Sequence, residues 1–308
     1  MPETIAMGGK IIHIDIDINE LQCSRLQNKI NINLDVESTL NLLNKYDFTL
    51  EIQKWNTYLN TLKSKYSQKN EIARSIVDDA PYRIMEILNN NAENNAIYCT
   101  DVGQHQMWAM QMLRLKQDQQ FYTSGGLGAM GCCLPISIGI AFASHFKRNI
   151  YAICGDGGFH MSTQSLMLIT QYNLPIKIII INNKSLGMIT QFQELYFNNI
   201  TVGTNASGGY LVPDFSYMAK SYGLKYLSYD ATNSIDENSY VFKDFFNSRN
   251  CILEYIISEN CKVFPKLEYN QPIYNPSPSI KDVELKKDMY IKLINDNLLN
   301  LEEGEDHE

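Results

Sequence analysis

The chain has 308 residues, enough for one large or two modest domains, and its 44% hydrophobic and 19% charged residues are the balance of a soluble globular protein. A formal net charge of −8 with scattered basic residues argues against a nucleic-acid surface and against docking on anionic lipid. No apolar run approaches the roughly 20 residues that span a bilayer, residues 1–10 hold no signal-peptide core, and seven cysteines without Cys-x-x-Cys spacing point to a reducing, cytoplasmic compartment without disulfides.

Lys10 to Asp17 alternates apolar and polar residues, the period of a half-buried strand. Residues 46–80 carry Trp55, Tyr58, Leu59, Leu62 and Tyr66 at helical spacing and read as a connecting helix with one apolar face. A main domain, 81–262, opens near Ala80-Pro81 and alternates strands with helices. Ala96 to Thr100 is a predicted strand ending at Asp101, and Gly131 to Ser144 a predicted helix tight with small residues, its Cys132 and Cys133 read as packed thiols. Tyr151 to Cys154 and Ile176 to Ile181 are predicted strands, with a helix between them over Ser162 to Tyr172. Helices are expected over Phe215 to Gly223 and Asn238 to Asn247, and strands over Lys225 to Tyr229 and Cys251 to Ser258. The pattern is that of a doubly wound, mostly parallel α/β sheet. Residues 263–308 break it: Pro265, Pro272, Pro276 and Pro278 punctuate an extended arm, Ile280 to Leu301 is amphipathic, and Glu302 to Glu308 is an acidic, disordered tail.

The chemistry concentrates at Gly155-Asp156-Gly157, followed after 24 intervening residues by Asn182-Asn183. Each half ends an apolar run, so a strand–helix–strand unit brings both to one edge of the sheet, in the crevice where such sheets bind ligands. One carboxylate (Asp156) beside one amide oxygen (Asn183) suits a hard cation that keeps waters and grips a diphosphate, as Mg²⁺ prefers. Either piece alone is a common turn; their joint placement at strand ends favours function. Gly157-Gly158 leaves backbone N–H groups bare before a helix, which favours a phosphate contact over a simple glycine turn. Gly126-x-Gly128-x-x-Gly131 formally matches a dinucleotide fingerprint, but Phe121-Tyr122-Thr123 reads as a poor strand and no acidic residue follows at the required strand end. Asp101 reads as a helix cap rather than a ligand.

At these residues the sequence resembles the thiamine-diphosphate-dependent enzymes. Gly155-Asp156-Gly157…Asn182-Asn183 looks like their diphosphate-binding motif, and three further blocks resemble acetolactate synthases: Thr100 to Trp108, Thr123 to Gly131, and Leu186 to Leu195. The blocks stand in the same order, and the resemblance covers roughly residues 1–265 and the carboxyl-terminal part of the large catalytic chain. It implies a thiamine-diphosphate-binding fold, with residues 1–45 as the tail of a middle α/β domain whose beginning is absent.

The resemblance also implies roles. The backbone carbonyl of Ser185 joins Asp156 and Asn183 as a Mg²⁺ ligand. Gln104 and His105 match a diphosphate-contacting pair. The loop holding Gly128 and Met130 cradles the thiazolium and pyrimidine, with the Met130 carbonyl receiving the 4′-amino group; on the residues alone, core packing of Met130 is the better reading. Leu186, Met188 and Phe192 shape the keto-substrate pocket, where acetolactate synthases typically carry Trp in place of Phe192, which puts the acceptor in doubt.

The implied reaction is decarboxylation of a 2-oxo acid, pyruvate, followed by addition to a second carbonyl compound. The family's activating glutamate sits on a pyrimidine-binding domain to which no region here corresponds, and the middle-domain remnant is too short to hold FAD. The chain is therefore expected to hold thiamine diphosphate and Mg²⁺ yet need a partner carrying that domain, as a homo- or hetero-oligomer. A split gene, a gene fragment and a truncated chain fit equally. Three alternatives stay open: a carboligase adding an acetyl unit to a keto-sugar nucleotide, mildly favoured by Phe192; a non-catalytic cofactor-binding remnant or assembly subunit; and a nicotinamide dehydrogenase, resting only on the glycine fingerprint.

Overall fold

In the computed structural model, which describes residues 10–23, 29–47, 49, 51–67, 70–71, 78–268, 276–281 and 283–285, the isoleucine-rich runs become the centre of a parallel sheet. Pro272, most of the amphipathic stretch 280–301 and the whole acidic tail lie outside the described residues. The chain divides into two compact units, Met1–Asn70 with Pro265–Glu308, and Glu71–Phe264.

In the first unit, β1 (Ile11–Asp15) pairs in parallel with β2 (Lys29–Asn33) across helix α1 (Ile18–Cys23), with Ile12 opposite Ile30 and Ile14 opposite Ile32. The sequence reading placed one strand here; β2 alternates as Lys-Ile-Asn-Ile-Asn, with polar residues of low strand preference at every second place. Helix α2 (Val36–Leu43) starts where the Asp35 carboxylate accepts from the Ser38 N–H at 2.9 Å. The expected connecting helix is α3 (Gln53–Lys65).

The second unit is built on β3 (Ile97–Thr100), β4 (Gln120–Thr123), β5 (Ile150–Gly155), β6 (Ile176–Asn182), β7 (Tyr226–Asp230) and β8 (Cys251–Ile256), in the order β4-β3-β5-β6-β8-β7 and parallel throughout. The helices are α4 (Ala80–Asn91), α5 (Gln104–Met112), α6 (Cys133–Ala143), α7 (Asp156–His160), α8 (Leu166–Gln171), α9 (Gly187–Tyr196), α10 (Phe215–Ser221) and α11 (Tyr240–Asn247). Both faces of the central strands are buried, as parallel strands require. Tyr151, Ile153, Ile179, Ile181 and Leu253 pack into one core, while Ala152, Cys154, Ile178, Ile180 and Ile252 pack into the other.

Two expectations need correction. Phe121-Tyr122-Thr123 is a strand after all: it belongs to β4, at the sheet edge, paired with β3 through Tyr98↔Phe121. The glycine loop after it still does not make a dinucleotide unit, because β3 lies between β4 and β5 instead of letting them pair. The helix expected over Ser162 to Tyr172 is interrupted. Helix α7 begins directly at Asp156, a 3₁₀ turn spans Thr163–Ser165, and α8 covers only Leu166–Gln171. Glycines at 157 and 158 lower helix propensity and hid that first turn.

Asp101 does cap a helix, though a distant one. Its carboxylate, wholly buried, accepts from the N–H groups of Gly131 (2.9 Å) and Cys133 (3.0 Å), at the start of α6. Alanine at 101 strands both donors, each costing about 1–3 kcal/mol when buried and unpaired. Asp101→Ala is therefore expected to lower unfolding free energy by roughly 3 kcal/mol in urea titration, and a loss below about 1 kcal/mol would rule out this capping role.

Candidate functional site at the crevice of the sheet

The chain leaves β3 and β5 toward opposite edges of the sheet, since β4 flanks β3 on one side and β6 flanks β5 on the other. Ligands of open α/β sheets bind at such a reversal, outside the carboxyl ends of the strands. A cavity of ≈ 280 Å³ lies there. It is lined by Gln104, His105, Gly128, Met130, Gly155, Asp156, Gly157, Gly158, Asn183, Ser185, Leu186 and Met188. Of the residues given a cofactor, metal or substrate role from sequence, all but Phe192 thus line one cavity.

Phe192 lies one turn beyond Met188 on α9, about 6 Å further along the axis. It is half-exposed and packs on Tyr196, with ring centroids 4.7 Å apart. The structure therefore does not place it in the cavity.

Register explains the meeting of Asp156 and Asn183. Gly155 pairs with Ile181 across β5 and β6, so the next residues, Asp156 and Asn182–Asn183, leave the sheet together. Asp156 is 2% exposed, and burial pushes its carboxyl up to about 6. Three donors hold it: Gly157 N–H to Oδ1 at 2.6 Å, Ser185 N–H to Oδ2 at 3.2 Å, and the Tyr210 hydroxyl to Oδ1 at 3.1 Å. The Gly157 N–H is thus engaged by Asp156 itself.

Asn182 turns away, donating to Glu254 Oε1 at 2.6 Å and accepting from Lys184 N–H at 2.9 Å. Asn183 is the cavity residue. Its Nδ2 donates to Gln104 Oε1 at 2.9 Å, while Gln104 Nε2 donates to Gln191 Oε1 at 3.1 Å and to the Cys261 carbonyl at 3.3 Å. With Nδ2 so occupied, the oxygen of Asn183 is the atom left for a cation. No backbone N–H among the described residues donates to the Ser185 carbonyl, while Ser185 Oγ is tied to Thr190 Oγ1 (2.7 Å) and donates to the Thr204 carbonyl (3.0 Å).

His105 is 4% exposed, and burial lowers its pKa to about 4 against the opposing pull of Asp101. It is neutral at physiological pH, and its Nε2 is buried with no partner among the described residues. Gly103 and Gly155 make room for the ring: a Cβ on Gly155 would stand 2.9 Å from His105 Nδ1. An orphaned ring nitrogen lining a cavity fits a ligand that supplies the missing partner. Gly157 likewise has no room for a side chain, since a Cβ there would meet Leu186 Cδ2 at 2.4 Å and the Tyr210 hydroxyl at 3.1 Å.

Among the described residues no group of three or more His, Cys, Asp and Glu is gathered to hold a metal. A cation here would take one carboxylate with amide and carbonyl oxygens, the donor set of a hard ion that retains water. Tyr210 is the residue that sequence reasoning missed. It lies 53 positions after Gly157 in a glycine-rich loop without periodicity, so nothing local in the sequence marks it.

Residues 101–253 match the family model of the thiamine pyrophosphate enzyme, C-terminal TPP binding domain. The chain is 31% identical over 271 residues to the acetolactate synthase large subunit of Lactococcus lactis, covering 86% of this chain and 45% of that protein. It is 37% identical over 231 residues to the probable acetolactate synthase large subunit of Methanocaldococcus jannaschii, covering 71% of this chain and 38% of that protein. It spans less than half the length of these curated relatives. Among solved structures, a thiamine diphosphate-dependent 4-hydroxybenzoylformate decarboxylase of Rhodococcus jostii shares the fold with a TM-score of 0.60 and 19% identity, over 83% of this chain and 45% of that one. Among the described residues no helix is long and apolar enough to cross a membrane.

Proposed function

From the premise that this chain belongs, through residues 101–253, to the thiamine pyrophosphate enzymes and is homologous to acetolactate synthase large subunits, we propose that it binds thiamine diphosphate with Mg²⁺ and serves an acetolactate synthase-like carboligation. The observation that carries this reading is the juxtaposition of Asp156, Asn183 and Ser185 at the ends of adjacent parallel strands, in the cavity that also holds the unpartnered His105 nitrogen. Asp156, Asn183 and the Ser185 carbonyl hold the Mg²⁺. His105 Nε2, Gln104 and the Gly157-Gly158 backbone border the diphosphate. Gly128 and Met130 border the rings, and Leu186 and Met188 the substrate side. When bound, thiamine diphosphate supplies the chemistry that decarboxylates a 2-oxo acid such as pyruvate and joins its remaining carbons to a second carbonyl compound. The protein's part is to fix the diphosphate at the crevice, orient the rings and keep the cavity free of bulk water.

The activating glutamate, in this reading, comes from a pyrimidine-binding domain carried by a partner chain in a cytoplasmic oligomer. Mixing the chain with such a partner and following pyruvate decarboxylation tests this requirement; full turnover by the chain alone would refute it. Phe192, on which the keto-sugar-nucleotide alternative rests, is half-exposed and does not line the cavity among the described residues.

Calorimetric titration separates the cofactor reading from the nicotinamide one. Thiamine diphosphate is expected to bind only with Mg²⁺ present, and NAD to give no heat. NAD binding, or thiamine diphosphate binding indifferent to Mg²⁺, would overturn it.

A further inference from the structure

The loop between α9 and α10 is built more tightly than its glycines suggest. Within Thr201–Tyr210, the Asn205 side-chain oxygen gathers three donors: Thr201 Oγ1 at 3.1 Å, Ser207 Oγ at 3.0 Å and Gly208 N–H at 2.9 Å. The Asn205 carbonyl accepts from the Tyr210 N–H at 2.8 Å, which fixes where the tyrosine leaves the loop. The loop is anchored to the cavity wall from the other side, because the Thr204 carbonyl accepts from Leu186 N–H at 2.7 Å and from Ser185 Oγ at 3.0 Å. One short segment therefore grips Ser185 and Leu186, just past the end of β6, and sends a hydroxyl to Asp156, which follows β5.

A carboxylate has about four lone-pair sites. On Oδ1 of Asp156, Gly157 N–H and the Tyr210 hydroxyl occupy two; on Oδ2, Ser185 N–H occupies one. We propose that Tyr210 is a positioning residue for the cation: it saturates Oδ1 of Asp156 and so leaves Oδ2 as the oxygen with an open lone pair. This rests on reading Asp156 as the anionic Mg²⁺ ligand. The absence of a Cβ on Gly157 is part of the device, since the Tyr210 hydroxyl passes 3.1 Å from where that carbon would stand. Partners that orient a metal's ligands cost about 10–100-fold in metal affinity when removed.

The test is Mn²⁺ binding to the full chain in the presence of thiamine diphosphate, read by electron paramagnetic resonance of free and bound Mn²⁺. The variants are Tyr210→Phe, Asn205→Ala and Asp156→Ala, and each metal-free protein is also melted. Tyr210→Phe is expected to weaken Mn²⁺ about 10–100-fold and to alter the bound Mn²⁺ spectrum, with the metal-free melt unchanged. Asn205→Ala, which unpins the loop without touching the carboxylate's own hydrogen bonds, is expected to weaken Mn²⁺ in the same direction. Wild-type affinity in Tyr210→Phe, with binding lost in Asp156→Ala, overturns the role of Tyr210 and leaves the cation site standing. Wild-type affinity in Asp156→Ala overturns the cation site itself and the role of Tyr210 with it. If Tyr210→Phe melts early without metal, Asn205→Ala decides, weakened binding supporting the proposal and unchanged binding ending it.

Discussion

Replacing Asp156 with alanine is expected to remove Mg²⁺-dependent binding of thiamine diphosphate, weakening the cation by more than the roughly 100-fold that marks the loss of an outer partner. Asp156 is the one carboxylate among the cavity-lining residues, so its loss takes the whole negative charge of the protein's donor set. Alanine also strands Gly157 N–H, Ser185 N–H and the Tyr210 hydroxyl, which now converge on the carboxylate. Asparagine separates the two effects. It keeps the shape and one acceptor oxygen while discarding the charge, with its NH2 set against the single Ser185 donor, so Asp156→Asn is expected to lose less stability than alanine and still lose the cation. Calorimetry with and without Mg²⁺, alongside urea denaturation, reads both. Asparagine binding Mg²⁺ as tightly as aspartate would mean that the charge is not what holds the ion.

The second large effect is expected at Gly187, the first residue of α9. On backbone grounds alanine should help there, by up to about 1 kcal/mol over glycine in a helix. The surroundings decide otherwise. A Cβ at 187 would fall 1.9 Å from Gln104 Oε1, 2.5 Å from its Cδ and 2.7 Å from Asn183 Nδ2. Gln104 cannot swing clear, because it is 4% exposed and its Nε2 is held by Gln191 and the Cys261 carbonyl. Overpacking of this kind costs about 1–3 kcal/mol, which outweighs the propensity gain, and it breaks the bond that orients Asn183. Gly187→Ala is therefore expected to lose stability in urea and Mg²⁺-dependent affinity together. Gly126→Ala is the control, since nothing lies within 4 Å of a Cβ there. A Gly187→Ala protein as stable and as tight-binding as the wild type would show that the Gln104–Asn183 pair has room to move.

What was legible in the sequence was the part written in local pattern. The apolar runs at 150–154 and 176–181 are so rich in β-branched residues that only buried strands suit them, and the polar residues that end them had to meet at one edge. What was hidden depended on partners far along the chain. Asp101 reads as an ordinary cap, yet the helix it caps begins about 30 residues later. Gln104 was expected against a diphosphate, and much of its amide is already engaged by Asn183, Gln191 and Cys261. Tyr210 reaches Asp156 only because hydrogen bonds within its loop aim it, and such bonds leave no period in the sequence. Phe192, which the resemblance places with Leu186 and Met188 at the substrate pocket, sits one turn beyond Met188 and does not line the cavity among the described residues.

The amide chain running from Asn183 through Gln104 and Gln191 ends on residues that follow the last strand. Gln104 donates to the Cys261 carbonyl, and Gln191 both donates to the Val263 carbonyl at 3.2 Å and accepts from its N–H at 3.1 Å. A piece trimmed at residue 253, where the family match stops, would take both Val263 bonds from Gln191 and the Cys261 carbonyl from Gln104. A piece that keeps this amide chain whole must therefore run through Val263, and the short tether after β8 braces residues behind the cavity instead of trailing from the sheet.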